Sequence, residues 1–193
     1  MPKVDNKTFY SSAIQNHGTN ARGLNWNSSK TQEVRFGAIL KLLNKKLKDY
    51  TILDAGCGFG DFYFYLEKNS NLPKDYIGID CHDDMVSIAS NQTGCEIINL
   101  DIVKHDLPKV DYIVCSGAIN ILSHYESFLF IKNCFNSCNI SFIFNVLYGD
   151  KESDTYNYMK KDQIELFAKK LSVKKITYLE GYLENDITVR FDK

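Results

Sequence analysis

The chain has 193 residues, 44% of them hydrophobic and 13% aromatic, enough for one domain with a substantial core and too few for two. Its 23 basic and 24 acidic residues leave a formal charge of -1, which gives no global attraction to a phosphate backbone or an anionic bilayer. No stretch approaches the roughly 18 consecutive apolar residues of a membrane helix, and Met1-Pro2-Lys3-Val4-Asp5 lacks the apolar core of a secretion signal, so a cytoplasmic protein engaging neither membrane nor nucleic acid is expected.

Residues 1–30 are polar and rich in Asn, Ser and Gly. Thr31-Gln32-Glu33 then opens a segment with Phe36, Ile39, Leu40, Leu43 and Leu47 at helical spacing, predicting an amphipathic helix that ends near Lys48. From Tyr50 on, short apolar runs alternate with helical stretches. Strands are expected at 51–55, 76–80, 96–100, 112–116 and 140–147, and helices at 59–68, 83–90, 125–138 and 161–171. Such alternation means a parallel sheet covered on both faces. The last two strand-like runs, 173–179 and 187–191, are separated by too few residues for a crossover helix, so the sheet should end in an antiparallel hairpin strand. The expectation is a single α/β domain, with residues 1–48 as a helical cap segment and 49–193 as a Rossmann-like doubly wound core.

The six cysteines lie in apolar segments with no C-x-x-C pair and no histidine cluster at zinc spacing, which predicts free thiols and no metal. Cys134 and Cys138, at i and i+4, would share a helix face, but nothing nearby in sequence supplies two further ligands.

The strongest chemical signal is Ile52-Leu53-Asp54-Ala55-Gly56-Cys57-Gly58-Phe59-Gly60-Asp61-Phe62, an apolar strand running into glycines and then a helix. Glycines let the backbone turn sharply and approach a ligand, and a helix start offers unpaired N–H groups. Asp80 follows Gly60 by twenty residues, at the end of the next strand, where a carboxylate accepts from both hydroxyls of a ribose. Gly56, Gly58 and Gly60 make G-x-G-x-G, whereas the dinucleotide fingerprint is G-x-G-x-x-G, and position 61 is Asp. Asp54 and Asp61 put carboxylates where a dinucleotide would put phosphates, an arrangement better suited to a positively charged amino-acid headgroup.

These residues resemble the core of the class I S-adenosylmethionine-dependent methyltransferases over residues 51–120. The landmarks are the D-x-G-C-G-x-G element, Gly78-Ile79-Asp80, Asn99-Leu100-Asp101-Ile102, and Asp111-Tyr112-Ile113-Val114-Cys115-Ser116-Gly117, in family order. The resemblance implies a seven-stranded sheet of order 3-2-1-4-5-7-6 whose seventh strand is antiparallel. It also implies S-adenosylmethionine as cofactor and S-adenosylhomocysteine as product. Asp54 and Gly56 would lie against the methionine portion, with Gly58, Phe59 and Gly60 completing the turn. Asp80, followed by Cys81, would hold the ribose, Asp101 and Ile102 would read the adenine edge, and Ser116 with Gly117 would line the sulfonium end. A looser likeness is to small bacterial members with His17-Gly18, Trp26, Gln32-Glu33-Val34-Arg35-Phe36, Ser116-Gly117-Ala118-Ile119-Asn120 and Asn185-Asp186-Ile187-Thr188-Val189. Such proteins resemble tailoring enzymes for sugars, envelope glycans or small metabolites.

Arg22 and Arg35 are two of three arginines, and a guanidinium fork matches the cofactor carboxylate, though a surface position is equally compatible with either. Trp26, the only tryptophan, is a candidate lid or a staple for its segment. His124 follows the fourth strand, on the side where open parallel sheets bind ligands, and is a candidate base; Asn120 is a candidate for orienting a polar substrate. His17 and Tyr10 are further candidates in the leader, and packing or solvated positions are the plain alternative for all of these.

The expected function is in-line methyl transfer to a hydroxyl or amine of a small metabolite, sugar or glycan precursor by a monomer or homodimer. Alternatives are a cofactor-binding regulatory module without turnover, a nucleic-acid or protein methyltransferase, and a nicotinamide oxidoreductase. With no long insertion, only residues 1–35 and 147–158 are available to cover the acceptor.

Overall fold

The computed structural model describes Gly18, residues 28–43 and residues 46–193. Arg22, Trp26, Tyr10 and His17 lie outside the described residues. Helix α1 (Ser29–Leu42) starts where the Ser28 side chain accepts the Thr31 N–H at 3.2 Å. It stops short of the Lys48 expected from sequence: Leu43 is extended, and Leu47 enters the core from a separate 3-10 turn at Leu47–Asp49. There follow β1 (Thr51–Ala55), α2 (Asp61–Lys68), β2 (Asp75–Asp80), α3 (Asp83–Thr93), β3 (Glu96–Asn99) and β4 (Val110–Ser116). A 3-10 turn (Ala118–Ile121), α4 (His124–Ser137), β5 (Cys138–Leu147), α5 (Lys161–Lys170), β6 (Lys175–Leu179) and β7 (Asp186–Asp192) complete the chain.

The seven strands form one sheet in the order β3-β2-β1-β4-β5-β7-β6. Strands β1 to β5 pair in parallel, while β7 runs antiparallel to both neighbours, as the short 179–186 connection requires. Adjacent residues on the central strands point into opposite layers. Ile52, Tyr112, Val114 and Ile143 pack with Phe36 and Ile39 of α1 and Phe62 and Leu66 of α2. Leu53, Ile113, Cys115, Phe142 and Phe144 pack with Phe130 and Ile131 of α4 and Ile164 and Phe167 of α5. The core therefore lies on both faces of the sheet. Cys138 opens β5 because α4 ends at Ser137, so Cys134 and Cys138 do not share a helix face.

Chain order reverses between β1 and β4. Parallel sheets open a crevice at the carboxyl ends of the strands at such a point.

Candidate active site

After β1 the chain turns through Gly56 (φ +79°), Gly58 (φ +56°) and Gly60 (φ +86°), left-handed values that non-glycine residues rarely adopt. This delays α2 to Asp61, two residues later than expected. The N–H groups of Gly56 and Cys57 both donate to the Ile79 carbonyl, at 2.8 and 3.0 Å, tying the turn to the end of β2. A Cβ on residue 56 would lie 2.5 Å from the Ala118 Cβ, so the turn and the segment after β4 approach only because the residue is glycine.

Asp80 is buried at the end of β2. Its Oδ2 accepts the Gly58 N–H at 3.0 Å and its Oδ1 the His82 N–H at 3.1 Å. An ionised carboxylate has about four acceptor positions, so two backbone bonds leave capacity for a diol. Asp101 follows β3; its Oδ1 accepts the Val103 N–H at 3.0 Å and its Oδ2 pairs with Lys104 at 2.7 Å.

The strand ends enclose a cavity of about 470 Å³, within the roughly 300–1,000 Å³ of small-molecule sites. Asp54, Asp61, Asp80, Asp101, Glu184 and Asp186 all line it. Burial pushes the Asp54 carboxyl up to about 7; the Tyr76 hydroxyl, donating to its Oδ2 at 2.6 Å, opposes the rise, and Asp80 and Asp61 add to it. Burial also raises Asp61 despite a 2.8 Å bond from Gln32, and raises Asp80 despite its two backbone bonds. Cys81, exposed at the cleft, has its thiol pushed up to about 11 by loss of water and by Asp80 and Asp101. Several desolvated carboxyls raised around one cavity make a site that a cationic ligand would relieve.

Arg35 also lines the cavity, but its guanidinium bonds Asp186, whose side chain is only 1% exposed. Burial raises Asp186, and Arg35 and Tyr182 oppose the shift. From Asp186 a run of bonds leads back to β4. Tyr182 donates to Asp186 Oδ1 (2.7 Å), Thr188 to Tyr182 (2.8 Å), the Asn145 amide to Thr188 (2.6 Å), and Ser116 to Asn145 Oδ1 (2.9 Å). A carboxylate only accepts, so it fixes the direction of every bond in the run.

Residues 52–139 match a family model described as a methyltransferase domain. Over that stretch, a little under half of the chain, the sequence is similar to methyltransferase domains. No curated relative matches the sequence. Among solved structures, magnesium protoporphyrin IX methyltransferase from Synechocystis PCC 6803 with bound SAH is similar at 12% identity and TM-score 0.70, over 84% of this chain and 83% of that one. An S-adenosylmethionine-dependent methyltransferase from Archaeoglobus fulgidus is similar at 11% identity and TM-score 0.65, covering 86% and 95% of the two chains. One from Mesorhizobium loti is similar at 12% and 0.65, covering 83% and 98%. At these identities the likeness is one of fold, and the sheet order agrees with it.

The cleft gathers most of the residues singled out from sequence. Asp54, Gly56, Gly58, Asp80, Cys81, Asp101 and Ile102 line one side, and Ser116, Gly117, Asn120 and Arg35 the other parts of the wall. Phe59 and Gly60 do not line it. Phe59 is buried beneath the turn, and Gly60 lets α2 approach α3, where a Cβ would lie 2.7 Å from Thr93 Cγ2. His124 is also absent from the lining: as the first residue of α4 it sets its ring 5.2 Å from that of Phe167, away from the cleft. Asn120 is buried and its Oδ1 accepts the Leu147 N–H at 2.9 Å, fastening the 3-10 turn to the end of β5. The sequence reading missed Leu183 to Asp186 as wall residues, and Gln32 and Tyr76 as partners of the acids. Tyr156 and Tyr158, in the segment expected to cover the acceptor, do line the cavity. Among the described residues no helix is long and apolar enough to cross a membrane.

Proposed function

We propose that this protein is an S-adenosylmethionine-dependent methyltransferase that modifies a hydroxyl or amine of a small metabolite, sugar or glycan precursor. The observation that carries this reading is the charge of the cleft. Six carboxyl side chains line it, and the arginine among them is joined to one of the six. Such a wall favours a cationic cofactor and repels phosphate, which weighs against a nucleic-acid acceptor. Only short segments, including Tyr156, Tyr158 and 183–186, close the cavity among the described residues, which favours a small acceptor.

In this reading Asp54 and Gly56 hold the methionine portion and Asp80 the ribose. Asp101 and Ile102 face the adenine, and Ser116 with Gly117 borders the sulfonium. When bound, S-adenosylmethionine supplies a methyl group already activated by the sulfonium charge. The protein's part is then to hold the acceptor in line and exclude water, an effect worth up to roughly 7–11 kcal/mol. Asp54 and Asp61 offer negative charge to the headgroup. Arg35 serves the cofactor carboxylate less well than the sequence suggested, since Asp186 engages its fork. With His124 turned toward Phe167, the reading gives the rate to positioning and not to His124, and Asn120 acts by fixing the wall.

The test is transfer of labelled methyl from S-adenosylmethionine into fractions of the source cell. Label in small metabolites or glycan precursors supports the proposal. Label in nucleic acid or protein overturns the acceptor class. Tight S-adenosylhomocysteine binding with no labelled fraction favours a regulatory module.

A further inference from the structure

Three consecutive residues of differing ligand chemistry meet at one side of the cleft. Asp80 ends β2, Cys81 follows in a bend, and His82 is the residue before α3. A carboxylate oxygen, the Cys81 sulfur and a His82 ring nitrogen all lie within 4.8 Å of one another. Oxygen, thiolate sulfur and imidazole nitrogen are the ligand types of zinc, and bond lengths of roughly 2.0–2.3 Å in a tetrahedron set ligands about 3.4–3.6 Å apart. Asp80 is held in place by the Gly58 and His82 N–H groups, while Cys81 is exposed and His82 half-buried, so the three ligand atoms need to draw together by only about an ångström. The charges of Asp80 and Asp101 act on Cys81, a negative setting that draws a cation.

We propose that Asp80, Cys81 and His82 bind a thiophilic divalent cation such as Zn2+, and that the ion and the cofactor's ribose exclude one another. Water completes the coordination shell, as in three-ligand zinc sites. On binding, the Cys81 S–H bond breaks, its proton passes to solvent, and the sulfur electron pair forms the bond to the ion; no electron is transferred. The exclusion rests on the proposed function, in which Asp80 accepts the ribose hydroxyls; the metal site itself does not.

The experiment titrates Zn2+, and Co2+ as its spectroscopic stand-in, into the full chain with and without S-adenosylhomocysteine. The expected result is one ion per chain, a thiolate-to-cobalt charge-transfer band, and zinc that weakens S-adenosylhomocysteine binding. Cys81→Ser should abolish the band, and His82→Ala should weaken zinc binding roughly tenfold or more and relieve the competition. No band, or equal zinc affinity in His82→Ala, overturns the site. Zinc bound without effect on S-adenosylhomocysteine overturns the exclusion. Affinity for S-adenosylhomocysteine measured in chelator reads the nucleoside assignment separately, so the two failures are distinguishable.

Discussion

Tyr76 and Asp54 stand on neighbouring parallel strands, and the tyrosine hydroxyl donates to the aspartate at 2.6 Å inside the protein. That bond is what keeps a fully desolvated carboxyl near neutrality and not higher. Asp54 binds its proton more tightly folded than unfolded. Its contribution to stability is therefore complete below the ordinary aspartate range, near 3.8, and is lost as pH rises through about 7. Asp54→Asn should remove this loss and raise the melting temperature most at about pH 8, with the gain shrinking toward about pH 4. The slope between the two values is at most about 1.4 kcal/mol per pH unit. The same variant should bind S-adenosylhomocysteine more weakly. Thermal melts across pH with paired calorimetry check both, and a melting temperature that falls at high pH contradicts the account.

Asp80→Ala removes the acceptor of the Gly58 and His82 N–H groups together with the proposed ribose acceptor. A hydrogen bond to a charged group is worth roughly 1.5–3 kcal/mol, so S-adenosylhomocysteine affinity should fall at least about tenfold. Calorimetric titration of the folded variant is the measurement. Unchanged affinity moves the ribose elsewhere.

Arg35→Met leaves Asp186 buried without its guanidinium. Breaking one side of such a pair costs about 3–5 kcal/mol, whereas replacing both partners is close to neutral. Urea unfolding should show the single variant strongly destabilised and Arg35→Met with Asp186→Asn recovering most of the loss. Equal losses in both would mean that the pair is not the source of the effect.

Gly56→Ala should be poorly tolerated for two reasons that add. The backbone there is left-handed at +79°, and the new Cβ meets Ala118 at 2.5 Å. Strain of this kind costs on the order of 1–3 kcal/mol, and relief by shifting the turn displaces Gly58 from Asp80. A lower melting temperature with weakened S-adenosylhomocysteine binding is expected. The same substitution at Gly94, whose Cβ meets nothing within 4 Å, should cost stability alone.

What could be read from the sequence was local or periodic. The apolar runs around Ile52-Leu53 and Ile113-Val114 pointed to buried strands, and the glycine turn with Asp80 and Asp101 to the nucleoside side of the cleft. Long-range pairs left no such trace: Arg35 meets Asp186 across 151 positions, and Gln32 meets Asp61 across 29. His124 illustrates a subtler limit. Its place after β4 suggested the cleft, but the 3-10 turn at Ala118–Ile121 and the Ser123 cap of α4 direct it to Phe167. The grouping of Asp80, Cys81 and His82 has no spacing signature, because a strand end, a bend and a helix start turn adjacent side chains toward one point.

The run of bonds that starts at Asp186 settles what Ser116 presents to the cavity. Because every donor in it points toward the carboxylate, the Ser116 hydrogen is turned inward and a lone pair is left facing out. At this hydroxyl a guest carrying O–H or N–H finds an acceptor, and a bare ether or carbonyl finds no donor. The polarity of this part of the wall is thus inherited from Asn145, Thr188 and Tyr182 behind it, whatever the contour of the hollow.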